Sequence, residues 1–236
     1  MSAALPKLSQ CVTVGRRFLR SVNLERDFAG GEQGGGYVVT PSARELLHRL
    51  AEGLEAKSGN RAVTITGPYG VGKSAFAVFA SELLCGRGHT RKRAHDMLLA
   101  ADPALARAIE ELPVADPKRQ GMLPLLITAR RAPAPVCLAE GTMAALSDSK
   151  NTKLRAAAKA LAALAGREGV PDSRRVIEGL VAVSGAARDA GYTGVLCIVD
   201  EMGKLFEYAA RDPQKGDVFV LQELAEYAAR SGDFPF

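Results

Sequence analysis

The sequence contains no tryptophan, and aromatic residues make up only 6% of its 236 positions. Alanine, leucine and valine must therefore fill the interior, and a hydrophobic content of 47% permits a sizeable core. Cysteine is also scarce, and Cys11, Cys85, Cys137 and Cys197 form no CxxC pair. This pattern argues against a disulfide framework and predicts reduced thiols in a cytoplasmic protein.

Long apolar segments are missing as well. No run approaches the roughly 20 apolar residues that a membrane-spanning helix needs, so we expect no membrane partner. The segment Met1–Cys11 has no charged start followed by an apolar core, which argues against a signal peptide. The net charge of +5 is too small to establish nucleic-acid binding by itself.

A glycine-rich loop is the most informative feature that is present. It lies between Val63–Thr66, a predicted strand, and Ala75–Leu84, a predicted helix. The loop consists of Gly67, Pro68, Tyr69, Gly70, Val71, Gly72, Lys73 and Ser74. Glycines let the backbone N–H groups and the helix N-terminus face a bound phosphate. We therefore predict that Lys73 reaches the terminal phosphates of a nucleotide and that Ser74 binds Mg²⁺.

A second motif is an apolar strand that ends in two acids. Gly194–Val199 has the continuous apolar character of a buried parallel strand, and Asp200 and Glu201 follow it. Ligands bind at the carboxyl ends of strands in open α/β sheets. We predict that Asp200 holds Mg²⁺ and that Glu201 orients or deprotonates an attacking water. Without the phosphate loop, an ordinary strand with an acidic turn would be the better interpretation.

Other patterns predict the elements around these motifs. Either Thr40, or Ser42 together with Glu45, caps a helix that begins near Pro41. Met122–Ile127 is a further predicted strand, although its proline weakens the first half. We divide the chain into an N-terminal arm with a glycine-rich linker, residues 1–35, and a core, residues 36–236.

Several basic residues have two interpretations each. A basic run could bind nucleic-acid phosphates or could be a solvated loop, since no aromatic residues are interleaved for base stacking. Its members are Arg87, His89, Arg91, Lys92, Arg93 and His95. Arg130 and Arg131 either contact phosphate or a neighbouring subunit, or belong to a solvated turn. Lys204 either approaches the nucleotide or is a surface lysine.

With these motifs in view, the chain resembles the AAA+ and related P-loop ATPases. Gly67–Ser74 is similar to their first nucleotide motif, and Val195–Glu201 is similar to their second. Tyr37–Pro41 looks like the adenine-flanking segment of the origin-recognition and signalling ATPases. Asp200–Tyr208 is similar to a segment of large ATP-binding proteins from bacterial anti-phage defence clusters.

The resemblance implies an α/β fold of the P-loop NTPase type, with a three-layer parallel sheet and flanking helices. It implies ATP and Mg²⁺ as ligands and a homo-oligomer in which a neighbouring subunit supplies an arginine. Such ATPases continue with a sensor strand, placed between the phosphate-loop strand and the acidic strand, and with a helical lid. On this basis we expect the sequence to be a fragment that is truncated before both.

Three functional hypotheses follow. The first is Mg²⁺-dependent ATP hydrolysis that is coupled to remodelling of a partner protein or of nucleic acid. The second is a signalling switch that binds ATP and turns it over slowly. The third is a small-molecule kinase. The long separation of Lys73 and Asp200 in the sequence leaves room for the substrate-binding insertion that a kinase needs. Glu201 beside Asp200 suits water activation better than phosphate transfer to a substrate hydroxyl.

Overall fold

The structure, a computed structural model, describes residues 21–31, 37–55, 58–116, 118–165, 172–213 and 216–236. Most of these residues are helical. In chain order the helices are α1 Leu24–Gly30, α2 Pro41–Leu54, α3 Lys73–Cys85, α4 His89–Ala101, α5 Pro103–Glu111, α6 Ala134–Leu146, α7 Thr152–Ala165, α8 Ser173–Asp189, α9 Gly203–Arg211 and α10 Phe219–Ala229. None of the described helices is long and apolar enough to cross a bilayer.

Two strands, β1 Met122–Thr128 and β2 Gly194–Asp200, pair in parallel, so two of the predicted strands, Met122–Ile127 and Gly194–Val199, are confirmed. Their register runs from Met122 opposite Gly194 to Thr128 opposite Asp200. Just beyond β1, the N–H of Ala129 donates to the carbonyl oxygen of Asp200 over 2.9 Å. The pairing therefore brings both carboxyl ends to one edge of the sheet.

Pro124 lies within β1 without breaking it, because its nitrogen faces away from β2. The side to which a residue directs its backbone groups alternates along a strand. The N–H of Ala129 points to β2, whereas the N–H of Thr128 points outward and donates to Glu25. Pro124 lies an even number of positions from Thr128, so its nitrogen also points away from β2. The missing N–H of proline therefore costs no hydrogen bond between the two strands. This is the position at which an edge strand tolerates proline.

Helices cover both faces of the sheet. Odd-numbered strand residues, such as Leu125, join a core with α6, α7, α8 and α10. Even-numbered residues, such as Leu126 and Ile198, pack against α1 and α3 on the opposite face. The same alternation directs the side chains of Thr128 and Asp200 towards α3.

The expectation of a three-layer parallel sheet was wrong. The predicted strand Val63–Thr66 is not a strand, since residues 61–68 have no regular secondary structure and Val63 is 39% exposed. An extended segment becomes a strand only when a neighbour satisfies its backbone hydrogen bonds. No described strand pairs with residues 63–66. On the edge of β2 away from β1, the N–H of Val195 donates instead to the Pro235 carbonyl oxygen over 2.8 Å.

Local signals placed several helix starts correctly. Thr40 caps α2, and the alternative pair Ser42 and Glu45 does not: the Thr40 hydroxyl accepts from the Ala43 N–H over 3.2 Å. Asp102 followed by Pro103 also predicts a helix start, and Asp102 caps α5 in the same way. These ends are predictable because cap and helix are close in sequence.

Helix α1 belongs to the 1–35 segment and packs into the core. Leu24 is fully buried against α3 and β1. Asn23 Oδ1 accepts from the Arg26 N–H over 2.9 Å, and the Asn23 N–H donates to Asp27 over 2.8 Å. The predicted glycine tract after α1, apart from Gly30 and Gly31, lies outside the described residues, so the linker stays a prediction.

Candidate functional site

Helix α3 begins inside the predicted phosphate loop and is held firmly by its surroundings. Lys73 is its first residue, and every residue from Phe76 to Cys85 is buried. The preceding Gly72 provides no side-chain cap. The first N–H groups of a helix have no intrahelical partner, so those of α3 are available to an anion.

The loop before α3 is open to solvent. Residues 66–72 are exposed, and Tyr69 is 88% exposed. Gly70 and Gly72 have φ angles of +86° and +91°, which glycine adopts without strain. Within the described residues, no hydrogen bond uses the backbone N–H groups of 69–73. The loop thus presents unpaired donors on its surface.

The Lys73 side chain folds back onto this loop. Its Nζ donates to the carbonyl oxygens of Gly67 and Pro68 over 2.9 and 2.8 Å. Both acceptors are neutral. An anionic phosphate oxygen would accept a stronger, charge-assisted hydrogen bond from the same ammonium group.

Ser74 and Asp200 lie in contact although 126 positions separate them in the sequence. The Ser74 Oγ donates to Asp200 Oδ2 over 2.7 Å. The contact forms because α3 packs on the sheet face to which Asp200 points. It joins the glycine-rich loop to the acidic strand end.

Asp200 has further hydrogen bonds that fix its position. Its Oδ1 accepts from the N–H of Glu201 over 2.8 Å, and its carbonyl oxygen accepts from Ala129 over 2.9 Å. The side chain and the backbone of Asp200 are therefore both held. A fixed carboxylate is what a metal ligand or a hydrogen-bond acceptor at a binding site requires.

Glu201 has an unusual backbone conformation. Its φ of +58° is the only positive φ of a non-glycine residue in the described part of the chain. For residues with a Cβ this left-handed conformation costs about 1–2 kcal/mol. Strained residues of this kind concentrate at functional sites. The carboxylate is partly exposed, and its Oε2 lies 3.6 Å from the Nζ of Lys204.

Two arginines lie near the same end of the sheet. Arg130 pairs with Glu140, and the Nε of Arg131 lies 2.7 Å from Glu207 Oε2. The second pair joins the segment after β1 to α9, which follows Glu201. Both guanidinium groups thus have carboxylate partners within the chain.

The predicted adenine-flanking segment lies against α3. Tyr37 stacks on Phe79, with ring centroids 4.7 Å apart and planes 23° from parallel. Burial raises the pKa of Tyr37 to about 12, so its hydroxyl stays protonated at neutral pH. The neighbouring Val38 is 74% exposed.

The basic run is largely engaged within the chain. Most of it lies in α4, not in a loop. The partners are Gln120 and Tyr192 for Arg87, Ala115 for Arg91, Glu82 for Arg93 and Glu110 for His95. These contacts leave fewer cations for phosphate binding, and a nucleic-acid partner stays a prediction.

Two residues at the end of β1, the strand that pairs with Asp200, were not predicted from the sequence. Glu25 Oε1 accepts a hydrogen bond from the Thr128 N–H over 2.7 Å. The Thr128 hydroxyl is buried and has no hydrogen-bond partner among the described residues. Asn23 followed by acidic residues does indicate a helix start. Nothing in the sequence indicates that this helix lies beside β1.

In the described ranges, no group of three or more His, Cys, Asp or Glu residues could hold a metal ion. Comparison with family models, with curated proteins and with solved structures gives no match for this chain. Its function therefore has to be inferred from the geometry of the site.

Proposed function

We propose that this chain binds ATP together with Mg²⁺ at Gly67–Ser74 and Asp200, and that it hydrolyses ATP with the help of Glu201. The contact between Ser74 and Asp200 carries the proposal. A glycine-rich turn and an acidic strand end are each common, but here they meet at 2.7 Å across 126 sequence positions. This is the juxtaposition that a phosphate-bound magnesium ion needs.

The residues present fit a magnesium ion. Mg²⁺ prefers oxygen ligands and keeps several waters and phosphate oxygens, so one or two protein groups suffice. The Ser74 hydroxyl and the Asp200 carboxylate are such groups. The buried Thr128 hydroxyl, which has no described partner, adds a further oxygen on the same sheet face. When bound, the ion would neutralise charge on the phosphates.

The chain's own residues supply the remaining chemistry. The unpaired N–H groups of the loop and of the α3 N-terminus bind phosphate oxygens. Lys73 exchanges its two carbonyl contacts for the terminal phosphate. Glu201 accepts a proton from water as the water oxygen bonds to the terminal phosphorus and the bond to ADP breaks.

A slow nucleotide-dependent switch is the second candidate, and two contacts favour it. Lys73 is bound to loop carbonyls, and Glu201 lies beside Lys204. Both side chains have to leave a partner before they act. Turnover measured with and without a candidate partner protein or nucleic acid distinguishes a switch from a constitutive ATPase. Release of inorganic phosphate, as opposed to a phosphorylated product, distinguishes both from the kinase hypothesis.

Two substitutions test the proposed roles. We expect Lys73→Ala to weaken Mg-ATP binding about a hundredfold, because charge-assisted hydrogen bonds to phosphate are lost. We expect Glu201→Gln to keep ATP affinity within about threefold and to slow turnover by about 10²–10⁴, the usual contribution of a general base. Calorimetry measures binding, and phosphate release measures turnover.

Lys159→Ala is the matched control, since Lys159 is exposed on α7. It should leave both quantities unchanged. Wild-type protein that takes up no Mg-ATP would refute the proposed function. A Glu201→Gln variant with normal turnover would refute the role of Glu201 alone.

A further inference from the structure

We propose that Glu25 is a positioning residue for Asp200, an inference that rests on the proposed function. Its carboxylate belongs to α1, outside both nucleotide motifs. Glu25 Oε1 accepts from the N–H of Thr128 over 2.7 Å, and Thr128 lies opposite Asp200 in the sheet. The contact therefore holds the strand end that adjoins the proposed metal site.

Adjacent backbone groups connect Glu25 to Asp200. The Thr128 N–H points away from β2 and donates to Glu25, and the next N–H, of Ala129, donates to the Asp200 carbonyl oxygen over 2.9 Å. A shift of this strand end would move the backbone of Asp200 relative to Ser74.

Helix α1 can hold Glu25 in place because it is itself anchored. Leu24, the preceding residue, is fully buried and packs with Ala77 and Val78 of α3. The start of α1 is capped by Asn23, whose own N–H donates to Asp27. Glu25 thus links a well-packed helix to the outer edge of β1.

Glu25 acts on one half of the proposed site. The phosphate loop has its own anchor, because α3 is buried along most of its length. Loss of the Glu25 contact should therefore disturb Asp200 and leave the phosphate-binding N–H groups in place. We therefore expect the affinity for ATP to fall when Mg²⁺ is present and to change little when Mg²⁺ is absent. A general loss of stability would lower the affinity in both conditions.

The experiment titrates the whole chain with ATP by calorimetry, once with Mg²⁺ and once with EDTA. Glu25→Asp keeps the charge but withdraws the carboxylate by one methylene group, whereas Glu25→Gln keeps the acceptor oxygen and removes the charge. We expect Glu25→Asp and Glu25→Ala to weaken Mg-ATP binding about tenfold, as lost outer-shell contacts do. Binding in EDTA should change by less than about twofold, and Glu25→Gln should stay within about threefold of wild type in both conditions.

Glu45→Asp and Glu45→Gln are the matched controls on α2, where Glu45 pairs with Arg49 in solvent. The inference is refuted if Glu25→Asp binds Mg-ATP like wild type, or if Glu25→Asp and Glu25→Ala weaken binding equally with Mg²⁺ and with EDTA. If Glu25→Ala does not fold, the same comparison of ATP binding with Mg²⁺ and with EDTA is made on Glu25→Asp, with Glu25→Gln beside it. A wild-type chain that binds no ATP in either condition refutes the proposed function, and the inference with it.

Discussion

At the scale of single residues, backbone conformation distinguishes Glu201 from the loop glycines. Gly70 and Gly72 adopt positive φ without a Cβ, whereas Glu201 adopts φ of +58° with one. An acidic residue at a position that favours glycine is costly for the fold. Natural proteins accept such costs mainly where a side chain is needed for function.

Replacing Glu201 by glycine tests this strain. We expect Glu201→Gly to raise the free energy of unfolding by about 0.5–1 kcal/mol, because the left-handed conformation becomes unstrained. The same variant should lose turnover. Denaturant unfolding and phosphate release measure the two effects.

The control for Glu201→Gly is Glu178→Gly, on the exposed surface of α8. It should destabilise by about 1 kcal/mol, the usual cost of glycine in a helix. A Glu201→Gly variant that is less stable than wild type would show that the positive φ stores no strain.

At the scale of elements, the packing of α6 on β1 depends on a glycine. A Cβ placed on Gly141 would lie 2.6 Å from Cγ2 and 3.0 Å from Cγ1 of Ile127. Ile127 is buried in the sheet core and has little room to move. The helix approaches the strand this closely because position 141 carries no side chain.

We therefore expect Gly141→Ala to lower the free energy of unfolding by about 1–3 kcal/mol through overpacking, although alanine favours helices. Gly185→Ala in α8 is the control, because a Cβ there meets no atom within 4 Å. That variant should gain about 0.5–1 kcal/mol. Denaturant unfolding of both variants measures the contrast, and equal effects of the two substitutions would contradict the packing argument.

Helix starts and strands differ in how well the local sequence predicts them. The starts of α2 and α5 and both strands of the sheet were predicted correctly, because caps and apolar runs are local signals. Val63–Thr66 has a β-branched residue at every position and is not a strand. Strand formation needs a partner, and the sequence of one segment does not reveal whether that partner is present.

At the scale of the whole molecule, Arg61 connects distant parts of the chain. Its Nε donates to the Gly53 carbonyl oxygen over 3.0 Å, and its Nη1 donates to Ser231 Oγ over 2.7 Å. Ser231 Oγ in turn accepts from the Phe236 N–H over 3.0 Å. The residues that precede the glycine-rich loop are thereby tied to those that cover the edge of β2.

Arg61→Ala should lower the free energy of unfolding by about 1–3 kcal/mol, because several hydrogen bonds of a charged donor are lost. The Val195 amide, which donates to Pro235, should exchange hydrogen faster. Arg174→Ala is the control, since the Arg174 side chain forms, among the described residues, only an exposed pair with Glu178 in α8, worth under about 1 kcal/mol. Unchanged exchange at Val195 would show that Arg61 does not stabilise this edge.

The sequence by itself determined the glycine-rich loop, the acidic strand end and the starts of α2 and α5, because each depends on residues within a few positions of one another. Only the tertiary structure decided that Ser74 meets Asp200, that Glu25 binds the end of β1 and that Val63–Thr66 stays outside the sheet. These outcomes depend on which buried faces and strand edges pack together, and backbone groups far apart in the chain find their partners only once that packing is fixed.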